Sequence, residues 1–163
     1  MAITFGNVAR LDLITGIHGY QVAIGARARV EVTRDPARAE VRSAVSSGVL
    51  SVAAIDLAVP VEVAALADFD RRPAFKGRGE AEVLALARTR GYAVASDERA
   101  VLTAARAEAA AGPAFSSLEL LVFAVRENRL DLVSANALLA QLDTGRRIVR
   151  YLQTRGVSLQ DLV

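Results

Sequence analysis

Two carboxylates stand where a chain of this pattern could do chemistry. The segment Gly77-Arg78-Gly79-Glu80-Ala81-Glu82-Val83-Leu84-Ala85-Leu86-Ala87 leads, after a short gap, into Val94-Ala95-Ser96-Asp97-Glu98-Arg99. Helical spacing puts Glu80, Val83, Leu84 and Ala87 on one face. Three of these four are apolar and are expected to face a sheet. Glu80 opens that inward stripe, where a lone carboxylate must reach a cleft or find a partner. Glu82, two positions on, is expected to point to solvent. Asp97 directly follows an apolar run that reads as a strand. In open α/β sheets ligands gather beyond the carboxyl ends of the strands. A strand–helix–strand unit therefore brings Glu80 and Asp97 to one edge. Converging carboxylates there suit a hard divalent cation such as Mg²⁺, which keeps several waters and needs few protein ligands. Such an ion activates water and neutralises charge on a phosphodiester.

Plainer roles compete with these. Asp97 also reads as a helix N-cap, with Glu98 favouring the same helix end. Glu80 also reads as a first-turn helix acid, and Glu98 as a solvated one. The glycines of Gly77-Arg78-Gly79 read as turn residues, since no Gly-Lys-Ser/Thr follows to make a phosphate loop.

Other chemistries are narrowed by composition. The chain has no cysteine, which removes disulfides, zinc–thiolate sites and thiol nucleophiles. The lack of cysteine fits a reducing cytoplasm. His18 is the only histidine and falls in a turn-like Ile17-His18-Gly19-Tyr20, so a histidine-based triad has one residue to draw on. The formal charge is +2, and Lys76 is the only lysine among twenty cationic residues. That balance does not by itself mark a nucleic-acid binder. No basic segment precedes an apolar run at the N-terminus, and no apolar stretch nears the ~20 residues of a membrane span.

The elements that would position these residues alternate along 163 residues, which are expected to form one domain, 1–163. Met1 to Phe5 is a short apolar piece, followed by a helical pattern through Val8, Leu11 and Ile14. Tyr20–Ile24 and Val49–Ile55 read as strands. Arg27–Thr33 is ambiguous. Asp35-Pro36 starts a helix that runs to about Ser46 and stops at Gly48. A helix is expected near Val61–Ala67, and a loop over Asp68–Gly79. Glu80–Arg90 is the clearest helix, closed by Gly91. Tyr92–Ser96 reads as a buried strand. Asp97 opens an alanine-rich helix ending near Gly112. Ala114–Ser116 reads as a last strand, before helices at Leu118–Glu127 and Leu132–Leu142 and a tail from Arg146 that begins helical. This alternation argues for a parallel sheet covered by helices.

Taken in order, these segments resemble the PIN-domain family. Gly79–Ala87, the following strand and Ser96-Asp97-Glu98-Arg99-Ala100 look like the second half of that family's pattern. Ala28-Arg29-Val30-Glu31-Val32 is similar to the stretch carrying its second acid. Phe115–Leu121 and Ala124–Leu130 are similar to its closing strand and helix. The resemblance implies a three-layer α/β/α sandwich around a central, mostly parallel sheet. It implies cleavage of single-stranded RNA with Mg²⁺ or Mn²⁺. Carried over, Glu31, Glu80 and Asp97 are catalytic metal-site acids, and Glu98 assists as a metal ligand. Many relatives of this kind are VapC-type toxins of toxin–antitoxin pairs, homodimeric and restrained by a small antitoxin. One departure stands out: the family's first strand ends in an aspartate followed by Ser or Thr, and no aspartate here precedes Asp12. Either the chain begins beyond that aspartate, or Gly6 or Asn7 stands at its position. Two further readings follow: a degenerate PIN-like module that binds RNA or a protein without cutting, and a small α/β protein with no nucleic-acid role.

Overall fold

A computed structural model describes residues 10–15, 21–76, 78–142, 149 and 152–163. Met1 to Phe5, Gly6, Asn7, Val8, His18, Tyr20 and Gly77 lie outside the described residues, as does the start of the tail at Arg146.

The described elements, in chain order, are α1 (Asp12–Thr15), β1 (Ala23–Gly25), α2 (Ala26–Glu31), α3 (Ala37–Ser46) and β2 (Ser51–Ala53). Then come α4 (Pro60–Asp70), α5 (Gly79–Arg90), β3 (Val94–Ala95), α6 (Arg99–Ala107), β4 (Ala114–Phe115), α7 (Ser117–Arg126) and α8 (Leu132–Gln141), with a 3₁₀ turn at Gln160–Leu162. The fold is α/β and helix-rich. Its strands pair in parallel, as the alternation implied. Yet among the described residues they form two two-stranded sheets, β1–β2 and β3–β4, rather than one continuous sheet.

Local chemistry explains most boundaries. Pro60 occupies the first turn of α4, where a missing N–H costs nothing. That helix runs on through Asp70, so the expected loop starts later than Asp68. Gly91 adopts φ +68° after α5 and donates its N–H to the Ala87 carbonyl at 3.0 Å, a left-handed cap that glycine takes without strain. Ser116 begins α7 with a capping box: its hydroxyl accepts from the Glu119 N–H, while its own N–H donates to the Glu119 carboxylate at 2.7 Å. The alanine-rich helix has Glu98, not Asp97, at its N-cap position, and Glu98 makes no side-chain cap there.

Two apolar clusters form the interior. One gathers Leu13, Ile24, Leu50, Leu121, Leu138 and Leu142 from α1, the β1–β2 pair, α7 and the end of α8. The other gathers Phe69, Leu84, Val94 and Val101 from α4, α5, β3 and α6, with Phe75 from the connection between α4 and α5. Each large side chain buried this way contributes about 1.5–3 kcal/mol.

Ion pairs tie the second cluster together. Arg88 of α5 forks onto Glu108 (2.8 and 2.7 Å) and reaches Asp68 of α4 at 2.9 Å, with its guanidinium 4.2 Å from the centre of the Phe69 ring. Arg90 forks onto Glu62 of α4 at 2.7 and 2.9 Å, and Glu62 also accepts the Asp56 N–H at 2.8 Å. Arginine bonding holds Glu62, Asp68 and Glu108 below the usual carboxylate range, Arg90 acting on the first and Arg88 on the other two. Their folded affinity for protons is thus lower than their unfolded affinity. Stability from these pairs is complete above about pH 4.5 and is lost as pH falls through the lower, folded values. Thermal melts should therefore be flat from pH 7 to 5 and fall steeply below about pH 4. A midpoint unchanged at pH 3 would contradict this account.

Candidate functional site

The site is set by how α2 and α5 meet. Each helix begins with backbone N–H groups that lack partners within the helix. Each receives a carboxylate from the other. The Gly79 N–H, at the start of α5, donates to Glu31 Oε1 at 2.7 Å. The Arg27 N–H, in the first turn of α2, donates to Glu82 Oε2 at 2.7 Å. Negative charge is favoured at both helix starts. Glu82 is only 3% exposed, so the expectation of a solvated side chain is corrected. The reciprocal caps require close backbones. A methyl group on Gly79 would stand 2.6 Å from Ala28 Cα, and one on Gly25 would stand 2.8 Å from Glu82 Oε2.

Glu80 follows in the same turn. It is half-buried, and its Oε2 is shielded from solvent with no hydrogen-bond partner. A buried carboxylate oxygen left this way carries a desolvation cost with nothing to offset it. Glu80 and Glu31 both line a cavity of about 490 Å³. Its other walls are mainly apolar and come from both sheets, with Ile24, Leu50, Val83, Val94 and Phe115 prominent. Glu31 is itself exposed.

The remaining expected ligands lie elsewhere. Asp97 is half-buried and outside the cavity lining. Its Oδ1 accepts the Ser117 N–H at 2.9 Å and its Oδ2 accepts the Ser117 hydroxyl at 2.6 Å. It thus serves the first turn of α7, across from its own strand end. Glu98 is exposed, and its N–H donates to Ser96 Oγ at 3.1 Å. Among the described residues no three carboxylate or histidine side chains are grouped so as to hold a metal ion.

Two carboxylates nevertheless suit a hard cation. Oxygen donors are what Mg²⁺ and Mn²⁺ select. The unpartnered Glu80 Oε2 has a free acceptor position, and Glu31 keeps acceptor capacity beyond its bond to Gly79. Of the arginines near α2 and α5, Arg27 is engaged with Asp70 at 3.1 Å. Arg29, Arg78 and Arg99 are exposed and form no ion pair among the described residues.

Two buried acids were not legible as such. Glu62 sits between valines on α4, and Glu82 reads as a surface acid. The signal for each lies in a distant partner: Arg90 for Glu62, and the start of α2 for Glu82.

Fold and site thus define a helix-rich α/β protein with parallel strand pairs and a two-carboxylate cavity at a helix start. Compared with protein-family models, the chain matches none. Searches of curated proteins and of solved structures likewise return no match. Among the described residues no helix is long and apolar enough to cross a membrane.

Proposed function

We propose that the chain is a PIN-like ribonuclease of the toxin kind, a three-layer α/β/α protein that cuts single-stranded RNA with Mg²⁺ or Mn²⁺. The observation that carries the reading is the shielded, unpartnered Oε2 of Glu80 in a cavity it shares with Glu31. An oxygen placed this way has its cost offset by a cation. Glu31 and Glu80 would hold the ion, whose chemistry is activation of water and neutralisation of phosphate charge. Asp97 holds the start of α7 through Ser117 and so positions the wall beside Phe115. Arg29 and Arg78, exposed on either side of the Glu31–Gly79 contact, are available for backbone phosphates. A small antitoxin, a homodimeric state and a cytoplasmic setting belong to the same reading.

One observation favours the second reading, a PIN-like module that binds without cleaving. Both oxygens of Asp97 are committed to Ser117. Calorimetric titration with Mn²⁺, followed by cleavage assays on single-stranded RNA, decides between them. Expected are binding at or below millimolar Mn²⁺, its loss in Glu80→Gln, and metal-dependent cleavage that the same Glu80→Gln abolishes. Metal binding without cleavage supports the inert module. No binding at millimolar Mn²⁺ overturns the metal site.

A further inference from the structure

Helix α4 is apolar on both of its faces. The inner one, with Ala65 and Phe69, packs into the second apolar cluster. The outer one carries Pro60, Ala64 and Ala67 on a single stripe, flanked by Val61 and Val63. All five are exposed, Val61 at 62% and Val63 at 38%, and Leu57 just before the helix is 81% exposed. Glu62 is the one charged residue from Leu57 to Ala67, and it is buried and held by Arg90. Every exposed side chain of that stretch is therefore apolar, and the whole stretch lies among the described residues. A helix apolar all round belongs in an interior, and a contiguous exposed patch of this kind marks a contact surface. Charge closes the stripe at each end. Asp56, exposed, precedes Pro60 by four residues. Arg71, whose side chain is 75% exposed, continues the stripe one turn beyond Ala67. Val63 and Ala64 lie midway between these two charges.

We infer that this face binds a second copy of the chain, with the two α4 helices antiparallel across a two-fold axis at Val63 and Ala64. A two-fold contact needs a patch that complements itself. The antiparallel arrangement sets Asp56 of each copy beside Arg71 of the other, whereas a parallel one sets like charges together. It also opposes the two helix dipoles. Ala64 and Ala67 carry no long side chain, so the helices approach closely at the axis. Leu57, Val61 and Val63 then leave water on both copies. The eleven residues of α4 span roughly 16 Å. A contact of that length is smaller than a standard interface of about 800 Å² per partner, so the dimer is weak, with a dissociation constant on the order of 10–100 μM. The nuclease reading includes a homodimer without placing its contact. The α4 contact rests on this helix and not on that reading.

Sedimentation equilibrium on the full chain over about 1–500 μM tests this, since that range spans the expected constant. Ala64→Glu sets two carboxylates against each other on the axis and should weaken association about a hundredfold or more. The position is exposed, so the melting midpoint of the dilute protein should stay within about 2 °C. Asp56→Arg and Arg71→Asp should each weaken association about tenfold, and the double variant should return to within about threefold of the parent. The charge-swapped set carries the test by itself if Ala64→Glu does not fold. A chain that stays monomeric at about 500 μM overturns the proposal. A dimer untouched by Ala64→Glu overturns the α4 face and leaves the homodimer of the nuclease reading standing. Charge variants that weaken association without recovery in the double variant overturn the antiparallel arrangement.

Discussion

Gly79→Ala should lower the melting midpoint by about 12 °C, the loss of roughly 4 kcal/mol in a chain of this size. The added methyl would lie 2.6 Å from Ala28 Cα, 2.7 Å from its nitrogen and 2.8 Å from its Cβ. All three atoms belong to Ala28 of α2, two of them backbone, and no rotamer change relieves them. Overpacking typically costs 1–3 kcal/mol where side chains can give way, and more where backbone must move. Moving α2 away also lengthens the 2.7 Å bond from the Gly79 N–H to Glu31, a cap worth about 1 kcal/mol. Gly48→Ala is the control. Gly48 has φ +77° with nothing within 4 Å of an added methyl, so only the left-handed backbone penalty applies, about 1 kcal/mol. Matched melts of the two variants separate steric exclusion from glycine's conformational freedom. Equal midpoints would refute the claim that α2 and α5 are in backbone contact. The same variant should weaken Mn²⁺ binding, because it moves α2, and with it Glu31, on the wall of the cavity that Glu80 also lines.

The contrast between Glu80 and Glu82 shows what local pattern can reveal. Spacing places Glu80 in line with Val83, Leu84 and Ala87, and it does line the cavity. The same count sends Glu82 to water, and there it fails. The rule assumes one buried face, whereas α5 is enclosed on several sides. Ala81, Glu82, Leu84, Ala85, Leu86 and Ala87 are all buried. An alanine-rich helix can be approached from any direction, so its sequence marks no single inner face. The end of α5 was legible because Gly91 acts on its own neighbours, whereas Ser116 was read as strand and proves to cap α7. Asp97 is at the end of its strand, as expected, but Ser117 lies twenty residues away, and no local signal links them. The division into two sheets is also non-local. Apolar runs of five to seven residues suggested full strands, while β1 and β2 pair over three residues and β3 and β4 over two. Pairing length depends on what lies beside each strand, and periodicity carries no record of that.

The second large effect belongs to Glu82, and it tests whether the two helices hold each other. Glu82→Ala removes the acceptor for the part-buried Arg27 N–H, at a cost of about 1–3 kcal/mol. Emptying the space of a side chain that is 3% exposed adds a cavity cost. The total should be about 3 kcal/mol, a midpoint roughly 9 °C lower. Glu82→Gln keeps an oxygen for Arg27 and should cost about 1 kcal/mol, the difference between a charged and a neutral acceptor. The decisive measurement is a double-mutant cycle with Gly25. A methyl at Gly25 meets Glu82 Oε2 at 2.8 Å and Val83 Cγ2 at 3.2 Å, so Gly25→Ala alone is destabilising because it pushes the Glu82 carboxylate off the Arg27 N–H. In the Glu82→Ala background the nearer obstacle is gone, and the methyl enters the vacated space. Gly25→Ala should then cost far less, giving a coupling of about 2 kcal/mol between the two positions. Additive losses would mean that Glu82 does not occupy the space above Gly25. The carboxylate would then have no part in fixing α5 against the end of β1, and the placing of Glu80 and Glu31 on one cavity would need another cause.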